Sequence, residues 1–362
     1  DLIARIIAQT CRQSGLSAVY NELFDFCGNE IYVQSVPALT GRTFGEALLG
    51  LEGSSLLGIA PRGGAPLLNP PMDTIIGPDD RLIVLAEDDD TTVATAGPAP
   101  VVEGDAIRTP EPVAAPPERT LILGWNWRAA AIVAEMDRYV APGSEVTVVT
   151  DLDRVPGEIA RLERQLRHAR VALRQGDTTD RDVLNALGIE RYDHVIILCS
   201  DDANDPQQAD ARTLVTLLHL RDIAERCGHP FSIVTEMLDI RNRELAEVAR
   251  ADDYIVSDRL VSLVLAQISE DKTLNAVFED LLDPDGSEVY LKPAGDYVQL
   301  GQPVNYATVV AAARARGEVA MGYKRQARAA DASARYGVTL NPPKSQRVTL
   351  DTQDRIIVLA EE

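Results

Sequence analysis

From Thr120 onward, short apolar runs alternate with amphipathic stretches. The runs Thr120–Gly124, Glu145–Thr150, Val171–Arg174, His194–Cys199 and Ser232–Thr235 predict strands, and the spacing of apolar positions between them is helical. Strand after helix after strand predicts an α/β fold with a Rossmann-like, doubly wound parallel sheet. The alternation runs to about Val256. Asp258 to about Ser269 and Thr273 to about Leu282 then read as helices, and from Gly286 short strands return around one helix near Ala307–Arg316. At the front, Leu2, Ile3, Ile6 and Ile7 give a helical spacing with no capping residue before them, the pattern expected of a piece of a longer polypeptide. Between Glu87 and Glu118 the periodicity collapses into Asp88, Asp89 and Asp90, followed by a stretch with Pro98, Pro100, Pro110, Pro112, Pro116 and Pro117. This segment reads as an extended linker.

An internal repeat orders these pieces. Adding 258 carries Leu2, Ala8, Gln9, Leu16, Asp25, Gly28, Glu30 and Tyr32 onto Leu260, Ala266, Gln267, Leu274, Asp283, Gly286, Glu288 and Tyr290. Further on, Leu68-Asn69-Pro70-Pro71 recurs as Leu340-Asn341-Pro342-Pro343, and Asp80–Glu87 recurs as Asp354–Glu361. The expected organisation is crossover helices of a truncated first domain at 1–27, a first small α/β lobe at 28–87, a Pro-rich linker at 88–118 and a Rossmann-like lobe at 119–257. Crossover helices at 258–285 and a second small lobe at 286–362 complete it.

Composition narrows the function. Asp and Glu number 56 against 35 Lys and Arg, a net charge of −21, so a nucleic-acid backbone is not an expected partner. Only four lysines occur, and the Arg- and Ala-rich usage has a bacterial look. The four cysteines, Cys11, Cys27, Cys199 and Cys227, form no C-x-x-C pair, which argues against a disulfide framework or structural zinc. No apolar run is long enough to cross a membrane as a helix.

Two places hold candidate chemistry. The turn after the first Rossmann strand is where a dinucleotide-binding protein carries G-x-G-x-x-G. Here it reads Gly124-Trp125-Asn126-Trp127-Arg128-Ala129, keeping one glycine, with Asp151 at the end of the next strand where a ribose-binding acid belongs. Trp127 is expected to obstruct the pyrophosphate seat, so NAD is not an expected cofactor. The plainer role of both tryptophans is packing or subunit contact. The second place follows the fourth Rossmann strand: Asp201, Asp202, Asn204 and Asp205, with Asp177, Glu236 and Asp239 at neighbouring strand ends. Hard carboxylate oxygens at this density suit Ca²⁺, with Asp201, Asp202, Asp205 and Asp177 as the expected ligands. Alternatively, Asn204 and Asp205 simply cap the helix that follows. No catalytic Ser, Cys/His pair or Walker loop is present, so no enzyme activity is expected.

The stretches Ile122–Arg128, Ala141–Glu145, Gln208–Arg212, Leu217–Ile223, Glu270-Asp271, Leu340–Pro343 and Ala86–Thr91 resemble, in order, the tandem RCK (TrkA-like) domains of the CASTOR/POLLUX ion channels. The resemblance implies RCK N- and C-lobes and a tetrameric ring of paired domains. It also implies a cytoplasmic position beneath a pore domain absent from this sequence, and coupling of ligand or divalent-cation binding to pore opening. Plant members respond to Ca²⁺. Two other readings stay open: a stand-alone TrkA-like regulatory subunit of a K⁺ transporter that binds a nucleotide, and a Rossmann oxidoreductase.

Overall fold

The computed structural model describes residues 2–362 apart from 27, 89, 91, 93–99, 111–114, 201–204, 228–230, 243–244, 246–252, 284–285 and 362. In chain order, α1 (Leu2–Arg12), α2 (Leu16–Phe24), β1 (Glu30–Gln34), α3 (Phe44–Ala47), β2 (Ser55–Ala60), β3 (Leu67–Leu68) and β4 (Arg81–Ala86) come first. Next are β5 (Arg119–Leu123), α4 (Ala129–Tyr139), β6 (Ser144–Thr150), α5 (Val155–Leu162), β7 (Ala169–Gln175), α6 (Arg181–Leu187), β8 (His194–Ile197), α7 (Pro206–Cys227), β9 (Ser232–Met237) and β10 (Asp253–Val256). The chain continues with α8 (Ser257–Glu270), α9 (Thr273–Leu281), β11 (Glu288–Pro293), β12 (Pro303–Asn305), α10 (Tyr306–Arg314), β13 (Val319–Lys324), β14 (Val338–Leu340), β15 (Arg347–Thr349) and β16 (Arg355–Ala360). These elements form two compact units, Asp1–Ser17 with Val113–Ser262 and Ala18–Pro112 with Leu263–Glu362.

The first unit is a six-stranded, wholly parallel sheet in the order β10-β9-β8-β5-β6-β7. Helices cover such a sheet on both faces, which is why its central strands read as unbroken apolar runs: Leu121, Ile122 and Leu123, and Val195, Ile196 and Ile197, are all buried. The strand order reverses between β5 and β8, which opens a crevice at the carboxyl edge. Helix α1 belongs to this unit: it packs on α4, β8 and β9, with Ile3, Ile6 and Ile7 fully covered. Its exit is held by buried Asp253, which accepts from Gly15 N (2.6 Å), Ser17 N (3.1 Å) and Ser17 Oγ (2.5 Å). Asp137 plays a similar part at the start of β7, accepting from the amides of Arg167, His168 and Ala169. Burial pushes the Asp137 pKa up, but those three hydrogen bonds outweigh it and the carboxyl titrates below its usual range.

The second unit contains two four-stranded antiparallel sheets of one design, β1-β4-β2-β3 and β11-β16-β13-β14. Both carry a bulge at the same place, between Leu56 and Gly58 and between Ala320 and Gly322. Glycine is required there because a Cβ on Gly58 would sit 2.2 Å from Leu67 O, and one on Gly322 would sit 2.2 Å from Thr339 O. Asn69 and Asn341, one residue beyond β3 and β14, share left-handed φ values of 43° and 50°. The repeat read from the sequence is therefore a repeat of strand order, bulge and turn. Phe24 of α2 meets Phe278 of α9 edge-on at 5.4 Å, and Gln267 of α8 donates to Phe24 O at 2.9 Å. Within the Pro-rich stretch, residues 101–108 are tied to the second lobe: Asn305 N donates to Glu103 Oε1 (3.1 Å), Glu103 N to Thr308 Oγ1 (2.9 Å), and Ile107 bridges Val298. The expected extended linker is thus, over these residues, a strap with fixed partners.

Candidate functional site

The crevice at the carboxyl edge of the parallel sheet brings together most of the residues singled out in the sequence. Gly124 follows β5 at φ +90°, and a Cβ there would lie 2.5 Å from Leu198 O. The surviving glycine is thus demanded by the close approach of two strands, independently of any ligand. Trp125 is fully buried, its Nε1 donating to Glu158 Oε2 at 2.8 Å. Trp127 faces solvent at 66% exposure, with the Arg128 guanidinium 4.3 Å from its ring centroid. Between them, Asn126 donates to Cys199 O (2.9 Å) and Glu236 Oε2 (2.7 Å), and accepts from Arg128 N (3.0 Å). The first Rossmann turn is thus occupied by its own side chains.

The cavity beside it, lined by Gly124, Asp151, Ser200, Arg212 and Thr213 among others, measures only about 20 Å³, room for a water rather than a nucleotide. Arg212 fills it. Its Nη2 lies 3.1 Å from Asp177 Oδ1 and 3.8 Å from Asp151 Oδ2, so the acid in the ribose-binding position is paired with an internal cation. Sequence reasoning placed the obstruction at Trp127, whose ring points outward; the residue in the cleft is Arg212. The missed signal was spacing: Arg212 lies one turn from buried Ala209 and Thr216, and so borders the buried stripe of α7.

The carboxylates expected to hold Ca²⁺ divide in two. Asp201, Asp202 and Asn204 lie outside the described residues. Asp177 accepts from Thr179 N, Thr179 Oγ1 and Arg212; burial raises its pKa, but these bonds outweigh it and the carboxyl titrates low. Asp205 accepts from Gln207 N (3.1 Å), and its own carbonyl accepts from Gln208 and Ala209 at the start of α7, the capping role of the alternative reading. Asp239 is paired with Arg241, whose hydrogen bonds lower its pKa to about 2, and buried Glu236 is paired with Arg128 at 2.9 Å. Among the described residues no three Asp, Glu, His or Cys side chains are gathered as metal ligands.

Below the edge lies a polar knot absent from the expectations. Asp210, in the second turn of α7 and wholly buried, accepts from Leu238 N (2.9 Å), Asp239 N (3.0 Å) and Asn242 Nδ2 (2.8 Å). It thereby pins the chain leaving β9 to the helix preceding it. Cys199 Sγ sits 3.4 Å from Asp210 Oδ1 and 3.2 Å from Glu236 O, and burial pushes its thiol far above the usual range. This cysteine is packed and protonated, the opposite of a nucleophile.

With this geometry fixed, comparison with known proteins matches two segments of the chain to different family models. A family model described as Castor and Pollux, part of voltage-gated ion channel, matches residues 1–101, and the TrkA-N domain model matches residues 120–257. Ion channel CASTOR of Lotus japonicus is 29% identical over 397 residues, covering 100% of this chain and 46% of that protein. The chain is similar to that ion channel along its whole length. Ion channel POLLUX of the same plant is 29% identical over 369 residues, covering 90% of this chain and 39% of that protein. Against both, the chain spans less than half of the relative. The human SLO3 gating ring shares its fold, with TM-score 0.71 at 14% identity over 99% of this chain and 74% of that chain. No helix of the described residues is long and apolar enough to cross a membrane.

Proposed function

We propose that this chain is the regulatory, gating-ring part of a CASTOR/POLLUX-type cation channel, in which copies assemble as a tetrameric ring beneath a pore. The observation that carries this reading is likeness to those channels over the full chain, together with a fold in which two small lobes of one design accompany a Rossmann-like lobe. A ring transmits force only through extensive contacts between copies, and candidate contact faces exist. Val215 and Leu218 on α7, and Val261 and Leu265 on α8, are large apolar side chains exposed at helical spacing. The purified chain should therefore have, by light scattering, the mass of several copies, and Leu218→Asp with Leu265→Asp should reduce it. A parent protein that is monomeric at tens of micromolar, roughly the concentration at which a specific interface holds, would count against the ring.

The TrkA-like alternative gains from the match over residues 120–257, and it predicts a bound nucleotide. Arg212 in the Asp151 cleft speaks against it. We expect calorimetry with NAD⁺ and NADH to give no heat of binding for the parent protein; low-micromolar binding would bring the transporter-subunit reading to the front.

A further inference from the structure

The two small lobes clasp one another through the same residue of each repeat. Asn69 Nδ2 donates to Gly317 O at 2.9 Å, and Asn341 Nδ2 donates to Gly53 O at 2.8 Å. Matching the strands and bulges of the two lobes pairs Asn69 with Asn341, Gly53 with Gly317, Ser55 with Val319 and Met72 with Lys344. The backbone confirms the last pair: Gly45 N donates to Met72 O (2.9 Å) as Ala307 N donates to Lys344 O (2.8 Å).

The clasp is symmetric but what fills it is not. On the Asn341 side, the Ser55 hydroxyl donates to Asn341 Oδ1 at 2.9 Å. The Lys344 ammonium, buried to 1% exposure, donates to Ser54 O at 2.7 Å and lies 3.4 Å from Ser55 Oγ. On the Asn69 side, Val319 supplies no hydroxyl and Met72 no ammonium. Asn69 Oδ1, in a residue only 8% exposed, has no hydrogen-bond partner. A cavity of about 280 Å³ lies there instead, lined by Asn69, Met72, Arg316, Glu318 and Glu361 among others.

The charges around the cavity indicate what it lacks. Glu318 is taken up by Lys292 (2.9 Å), Arg316 (3.2 Å) and the Tyr297 hydroxyl. Arg316 is held over the Tyr297 ring at 4.8 Å and donates to Asp296 O. What remains is a buried amide oxygen without a donor and the exposed carboxylate of Glu361. Asp280, whose Oδ2 accepts from Leu68 N next to Asn69, is held above its usual pKa by burial and then by the charges of Asp283 and Glu361. The missing chemistry is a positively charged hydrogen-bond donor. An orphan acceptor at this depth is destabilising, and a fitting donor relieves that cost.

We propose that this cavity binds a small molecule bearing a primary ammonium group, which donates to Asn69 Oδ1 and pairs with Glu361, taking the part that the Lys344 ammonium plays in the other half of the clasp.

The test uses 1,4-diaminobutane as probe and tetramethylammonium, a cation without N–H donors, as control at equal ionic strength. The diamine should raise the melting temperature of the parent protein and bind by calorimetry, and tetramethylammonium should do neither. Met72→Lys supplies the ammonium from within, as position 344 already does, and should weaken diamine binding at least about tenfold, the worth of one charged hydrogen bond. Glu361→Gln, at an exposed position that leaves folding intact, should weaken it several-fold. Equal effects of the two cations, no effect of the diamine at about millimolar concentration, the weakest useful affinity, or undiminished binding in both variants would overturn the proposal.

Discussion

Asp210→Ala should lower the stability of the parallel-sheet unit by about 3–5 kcal/mol, the range for removing one partner of a buried charged network. The carboxylate receives two backbone amides and the Asn242 side chain in a site with no solvent access, so truncation strands three donors at once. Asp210→Asn, which keeps the shape and one good acceptor, should cost less than half as much. Urea unfolding followed by tryptophan fluorescence reports directly on this unit, because Trp125 and Trp127 both lie in it. Equal stability of parent and Asp210→Ala would show that the knot contributes little.

Lys344→Met should remove a pH dependence that the parent protein carries. Burial lowers the Lys344 pKa to about 8 from 10.5, with Glu52 opposing. The unfolded chain therefore holds this proton to higher pH than the folded one does, so this group makes the protein more stable as pH rises from about 8 to about 10.5. The difference of about 2.5 pH units corresponds to about 3 kcal/mol across the window. Below about pH 8 the full cost of burying the ammonium is present. Methionine is accommodated at the matching position of the first lobe, Met72, so the variant should fold, and its advantage over the parent should shrink by about 2–3 kcal/mol between about pH 7 and pH 10.5. A constant difference across the window would mean that the ammonium is not desolvated in solution.

Most of the architecture was legible because it rests on local periodicity. The apolar runs of the parallel strands, the helical spacing of α7, α9 and α10 and the two Leu-Asn-Pro-Pro turns each record a short-range requirement, such as a strand covered on both faces or a left-handed turn that asparagine tolerates. The site was legible only in outline. Gly124 and Asp151 stood out because they occupy positions of a known turn, whereas Arg212, which decides what enters the cleft, is an arginine among many and gains its role from a fold-level meeting of α7 with the ends of β6 and β7. Asp210 was visible only as a member of the Gln208–Arg212 stretch, and its buried role was not, for the same reason: its partners Leu238, Asp239 and Asn242 lie about one strand further along the chain. The carboxylates of this edge were read as available oxygens; arginines at 128, 212 and 241 pair with Glu236, Asp177 and Asp239, and no spacing rule announces such pairings.

The clasp between Asn69 and Asn341 also sets an order of events during synthesis. The first lobe emerges before residue 90, yet the carbonyl that receives its asparagine belongs to Gly317, and the intervening chain carries every strand of the parallel-sheet unit. Until the last strands leave the ribosome, the Asn69 amide and the apolar surface of α2 wait without the partners that will cover them. Contacts this distant in sequence form late and leave a nascent chain exposed to misassociation. A copy of the same lobe on a neighbouring nascent chain offers the same asparagine, the same bulge and the same acceptor carbonyl, so the route to the finished molecule and the route to a swapped one share their first steps.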